Sequence, residues 1–186
     1  MKMNVVMTEK LSNLEWLGQH MRAKTPNYEQ LYSSNTDDVA AWEVRCAAFE
    51  NIDTPLAKAL AAVYVWGHKA KREYLFVQEH LANIMLRSAE EKSQKPNIIA
   101  LEKLAELIAR LVIDFEIEPS LNEVFTSKGR LYYAGIAAHH LTYDAYRKTW
   151  KDYEKLMEIA LVNARWEIEN GISEYRRLIK VNTEFV

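Results

Sequence analysis

The sequence predicts an all-α fold: a multi-helix bundle with a helix-turn-helix-like segment and a long C-terminal helix. Three observations carry that prediction. Apolar residues recur at helical spacing over most of the 186 residues. Only five glycines and four prolines punctuate the chain, so long uninterrupted helices are permitted. No alternating apolar–polar run of useful length competes for a strand.

A first helix is expected over residues 9–22, with Leu11, Leu14, Trp16 and Leu17 on one side, and Thr25-Pro26-Asn27 ends it. After a loop through Ser33-Ser34-Asn35, Thr36 followed by Asp37 and Asp38 reads as an N-cap. That helix runs to about Asn51, and Val39, Trp42, Cys46 and Phe49 step at helical spacing along it. Asp53-Thr54-Pro55 opens the next helix, with proline where a missing N–H costs little. It either continues to about Ser93 or breaks near Gly67, and its apolar run takes in Leu60, Val63, Tyr64, Leu75, Phe76, Leu81, Ile84 and Met85.

Lys95-Pro96-Asn97 is a clear stop. Residues 98–117 then show the cleanest amphipathic pattern, with Ile98, Leu101, Leu104, Ala105, Ile108, Leu111, Val112 and Phe115 on one face. Pro119 closes that helix. A helix over Lys128–His139 follows, and another from Thr142 to about Lys180, with Gly171 as a soft point. The chain divides into an N-terminal helical part, 1–96, and a C-terminal part, 97–186, that holds the helix-turn-helix-like segment 128–155. The two are expected to form one compact unit hinged at 94–97.

Composition narrows the function. Hydrophobic residues make up 49% and charged residues 27%, a globular balance. The formal net charge of −2 excludes a uniformly basic nucleic-acid coat protein, so any nucleic-acid surface must be local. Cys46 is the sole cysteine, which excludes an internal disulfide and a cysteine-based zinc site. Met1–Lys10 lack the apolar core of a signal peptide, and no apolar run reaches the roughly 18 residues a span needs. A cytoplasmic protein is expected.

Catalytic signatures are missing: there is no phosphate loop, no dinucleotide-binding glycine motif, no G-x-S-x-G, no H-E-x-x-H and no E-x-x-H pair. No enzyme activity, cofactor or metal is expected. The histidines are His20, His68, His80, His139 and His140. On a helix the adjacent His139 and His140 would project about 100° apart, too divergent for one metal. Cys46, on an apolar side, reads as a small hydrophobe. Asp114, Glu116, Glu118 and Glu123 read as a solvated helix end, with a protein-contact surface and a divalent-ion site as the rarer alternatives.

The informative stretch is 127–155, SKGRLYYAGIAAHHLTYDAYRKTWKDYEK. From Ser127 to Lys151 it carries Lys128, Arg130, Arg147, Lys148 and Lys151 against Asp144 alone, a net +4. Residues 102–123 just before it carry a net −4, so charge is segregated along the chain. Thr142 can cap a helix on which Tyr143, Tyr146, Trp150 and Tyr153 form an aromatic stripe. Arg147, Lys148, Lys151 and Lys155 lie to its side. Such a helix suits DNA recognition, its aromatics anchored on the scaffold and its basic side chains free for phosphates and base edges. An ordinary bundle helix, aromatics in the core and lysines in water, has the same pattern, and the sequence leaves both open.

Upstream, Ile136-Ala137, Leu141-Thr142 and Tyr146-Arg147 are spaced as in a helix-turn-helix, with a tight turn expected at His140–Thr142. The turn glycine common in that motif is absent. The run IAAHHLTYDAYRKTWKDYEKLMEIA resembles the C-terminal helix-turn-helix of bacteriophage late-gene antitermination proteins of the Q type, over about residues 127–165. The resemblance implies a transcription regulator of phage or mobile-element type, partnered by duplex DNA and RNA polymerase, with Arg147, Lys148 and Lys151 as DNA contacts. Some Q-type proteins carry a cysteine zinc element, which this chain cannot make. The full set of candidate DNA-binding residues is Lys128, Arg130, Arg147, Lys148 and Lys151. The competing expectation is a helical protein-interaction module, an inhibitor or adaptor, that uses the acidic 114–123 edge or the Tyr/Trp-rich helix and does not bind DNA.

Overall fold

A computed structural model of the chain describes residues 13–21 and 46–184. Regular structure among the described residues is entirely helical. Helix α1, Asn13–Met21, lies within the first expected helix. Residues 46–50 are helical, as expected for the end of the second, whose start at Thr36 lies outside the described residues. Thr54 caps α2, Pro55–Trp66, accepting the Ala57 N–H at 3.2 Å, with Pro55 in the first turn. Of the two courses open at Gly67, the chain breaks: a 3₁₀ turn over Gly67–Lys69 leads into a separate helix α3, Lys71–Glu91.

Helix α4 spans Leu101–Ile117. It starts three residues later than the periodicity suggests, and Ile98 stands 68% exposed in the link. Tyr74 on α3 reaches Asp114 while Gln78, one turn on, reaches the Glu106 carbonyl, so α3 and α4 run antiparallel. Their facing sides are buried: Leu81 and Met85 of the expected run, joined by Val77, against Leu104, Ile108 and Leu111. Leu75 and Phe76, although in the same apolar run, point away from the core at 52% and 43% exposure. One turn of helix, α5, Leu121–Val124, then leads to α6, Ser127–Tyr133.

Helix α6 departs from expectation. It ends at Tyr133, six residues before His139. Gly135 takes a positive φ of 85°, the Gly135 N–H bonds the Tyr132 carbonyl, and the Ile136 N–H reaches back to Leu131, both at 2.9 Å. This is the paired 5→2 and 6→1 closure that stops helices at a left-handed residue. The connection to the next helix therefore covers 134–142 rather than a tight turn, with Ile136 and Leu141 buried in it as plugs.

The final helix, α7, begins over Tyr143–Ala145, capped by Thr142 through the Ala145 N–H at 3.3 Å. It widens to π-helix over Tyr146–Trp150 and continues as α-helix over Lys151–Glu184. Its buried side, Tyr153, Met157, Leu161, Ala164, Ile168 and Ile172, steps by three and four. That stripe joins α2, α3 and α4 in a single core whose members come from both sides of Pro96. Gly171 is no break. A Cβ there would sit 3.1 Å from the Asn51 carbonyl oxygen, and the missing side chain lets Asn51 Nδ2 donate to the Gly171 carbonyl at 3.0 Å. Glu167 on α7 clasps the start of α2, accepting from both the Thr54 N–H and its hydroxyl.

Candidate nucleic-acid interface

The basic segment comes together where α6, the 134–142 connection and the start of α7 meet. The aromatic stripe holds α7 down. Tyr146, Trp150 and Tyr153 are 4%, 3% and 1% exposed, and the Trp150 and Tyr153 rings lie 5.7 Å apart. Tyr143 is half-buried, with the Lys128 ammonium 5.7 Å over its ring. The π turn between Tyr146 and Trp150 inserts an extra residue into the helix, a device that recurs at functional sites.

The five candidate cations separate into two groups. Arg130 and Lys151 are tied to Glu154, the one buried charged residue among those described: Arg130 Nη2 donates at 3.0 Å and Lys151 Nζ at 2.8 Å. The Tyr146 hydroxyl donates to the other Glu154 oxygen. Burial first, then the adjacent Glu154 carboxylate, push the Tyr146 phenol far above its ordinary range. Burial and the same carboxylate also raise the Glu158 carboxyl one turn on. Arg130 further stacks 4.4 Å from the Phe115 ring centre. Lys128, Arg147 and Lys148, in contrast, are exposed and make no ion pair among the described residues.

Between the two groups lies a cavity of about 260 Å³, walled by Ser127, Arg130, Tyr143, Arg147, Lys151 and Glu154. Three cations against one carboxylate leave its wall net positive. The arrangement suits a phosphate or other small anion at its mouth, with Arg147 the side chain free to close on it. Glu154 and Ser127 are the participants that the sequence reading did not single out. A signal for Glu154 was present, because it adjoins Tyr153 on the stripe side of α7 and stands three residues from Lys151.

The other candidate groups are placed differently. Asp114 accepts from the Tyr74 hydroxyl at 2.6 Å, the Tyr133 hydroxyl at 3.2 Å and Arg110 Nε at 3.4 Å. Glu116 accepts from the Tyr64 hydroxyl at 2.7 Å and from Arg165 at 3.2 Å. These two carboxylates serve as internal anchors for phenols and do not form a solvated acidic edge. His139 and His140 lie in the irregular connection instead of a helix, so their rings approach to 4.0 Å. No group of three or more metal-ligating side chains occurs among the described residues. No described helix is long and apolar enough to cross a membrane. The chain matches no family model, no curated protein and no solved structure.

Proposed function

We propose that this protein is a transcription regulator of phage or mobile-element type that docks on duplex DNA through the basic corner and bears on RNA polymerase elsewhere to promote antitermination. One observation carries the reading: the start of α7 buries its aromatic side while Arg147 and Lys148, on the same turns, stay exposed and unpaired among the described residues. A recognition helix needs that division of labour, one side anchored and the other free. Lys128 on α6 extends the free surface. Arg130 and Lys151 contribute positive potential while remaining held by Glu154.

The test is the salt dependence of DNA binding by the full chain. The parent should bind duplex DNA with affinity that falls steeply as salt rises. Replacing both Arg147 and Lys148 with alanine should weaken binding and flatten the slope of log K against log salt by roughly two units, about one per lost phosphate contact. A parent with no salt-sensitive DNA binding defeats the proposal.

A second reading, an adaptor that ignores DNA, is favoured by a different feature. An apolar groove of about 530 Å³ opens between α2, α3 and α4, lined by Val63, Leu75, Ile117 and Leu121 with Lys71 and Glu118 at its rim. It lies on the 114–123 edge and could seat a peptide side chain of a protein partner.

A further inference from the structure

Helix α7 carries two apolar sides, and among the described residues only one of them is buried. Opposite the buried stripe stand Leu156, Ile159, Val162 and Trp166, at 40%, 56%, 59% and 70% exposure. Their steps of three, three and four place them on one face of the helix. Water gains nothing from a tryptophan held in it, and an apolar helix stripe rimmed by charges is the usual form of a helix-pairing surface.

We propose that this stripe pairs with the same stripe of a second copy of the chain, the two α7 helices running antiparallel. The choice of partner and direction comes from charge. Lys155, Val162 and Glu169 are spaced by seven residues, so they form one line along the edge of the stripe. A two-fold axis at Val162 sets Lys155 of each copy beside Glu169 of the other, which gives two complementary contacts. Parallel pairing in register would instead set Lys155 on Lys155 and Glu169 on Glu169. The antiparallel arrangement also seats Trp166 of each copy between Leu156 and Ile159 of the other, with the two Val162 side chains meeting at the centre. Lys155 is free to turn outward, since its present partner is the exposed Asp152 at 3.2 Å, and the half-buried Glu169, one of whose oxygens accepts from Asn13 Nδ2 of α1 at 2.8 Å, keeps its other oxygen for the contact.

The seam is short. Leu156 to Trp166 covers about 15 Å of helix at 1.5 Å per residue, which corresponds to a small interface and a reversible dimer. The polar Asn163 lies within the seam and weakens it further while favouring one register.

Sedimentation equilibrium on the full chain tests this across about 1–500 μM, the range where such an interface titrates. The parent should pass from monomer to dimer, and Trp166→Glu, a change at an exposed site, should shift the midpoint at least about tenfold, the equivalent of 1.4 kcal/mol. Lys155→Glu alone and Glu169→Lys alone should each weaken the dimer, and the two exchanges together should restore it. Circular dichroism of each variant establishes that its helices are intact. A parent that stays monomeric throughout overturns the proposal, as does a dimer indifferent to Trp166→Glu. A double exchange as weak as the single ones overturns the antiparallel register. Each of these outcomes is read from the association state of the chain without DNA, so it stands or falls separately from DNA binding.

Discussion

Replacing Glu154 by alanine should be among the most damaging single changes in the C-terminal half of this protein. The carboxylate is 1% exposed and receives three donors: Arg130, Lys151 and the Tyr146 hydroxyl. Removing one partner of a buried ion pair leaves the other charge without compensation, at a cost of about 3–5 kcal/mol. Arg130 and Lys151 keep 22% and 35% of their side-chain surface in water, which places the expected loss near the lower end, about 3 kcal/mol. Glu154→Gln keeps an acceptor for Tyr146 and should lose less, on the order of 2 kcal/mol. Urea denaturation followed by circular dichroism reads both, as a fall in midpoint at unchanged slope. Combining Glu154→Ala with Arg130→Ala should cost less than the two single losses added, because each already removes the shared contact; the coupling should be about 0.5–3 kcal/mol. A Glu154→Ala protein within about 0.5 kcal/mol of the parent would show that the cluster is solvated and that Arg130 is as free as Arg147.

Three further outcomes follow from packing and ionisation. Trp150→Ala should lower stability by about 3–5 kcal/mol, given a ring 3% exposed, and an unchanged melting curve would mean that the stripe faces away from the core. Ser93 holds φ at 52° at the close of α3, so Ser93→Gly should raise the urea midpoint by the equivalent of about 0.5–1 kcal/mol; a fall would show that the serine side chain contributes more than the backbone relief. Tyr64, Tyr74 and Tyr146 are kept neutral by burial and then by their bonds and proximity to carboxylates, so folding raises their pKa above the unfolded value of about 10. Their stabilisation is complete below about pH 10 and is lost as the pH climbs beyond it. Phenolate absorbance should therefore rise in a late step together with loss of helical signal. Ionisation of every tyrosine near pH 10 with the helices intact would contradict the buried placements.

Periodicity and punctuation suffice to read most of this fold, because they act locally. Thr54-Pro55, Thr142 and the stripes of α4 and α7 carry their helix signals within a turn of themselves. The aromatic anchoring of α7 was equally legible, since a stripe of Tyr146, Trp150 and Tyr153 has few places to go other than a core. The end of α6 was written in the sequence too, at Gly135 followed by Ile136, but helical spacing through Ala137 and Ala138 masked it.

Tertiary structure decided which charges are available. On the sequence, Arg130, Arg147, Lys148 and Lys151 are equivalent cations, and Glu154 is one more surface glutamate. Packing buries Glu154, and a buried carboxylate must recruit positive partners from whatever element lies across from it, here α6 and its own preceding turn. The same holds for Asp114 and Glu116, which phenols from α2, α3 and α6 convert from an acidic edge into internal anchors. It holds as well for the outer face of α7, where the sequence shows apolar residues all round and only the position of the other helices determines which side is left in water. Local patterning sets which segments become helices. The identity of a free cation, a buried acid or an uncovered apolar face depends also on neighbours distant in sequence, such as Arg130 for Glu154, which a local pattern hints at but does not decide.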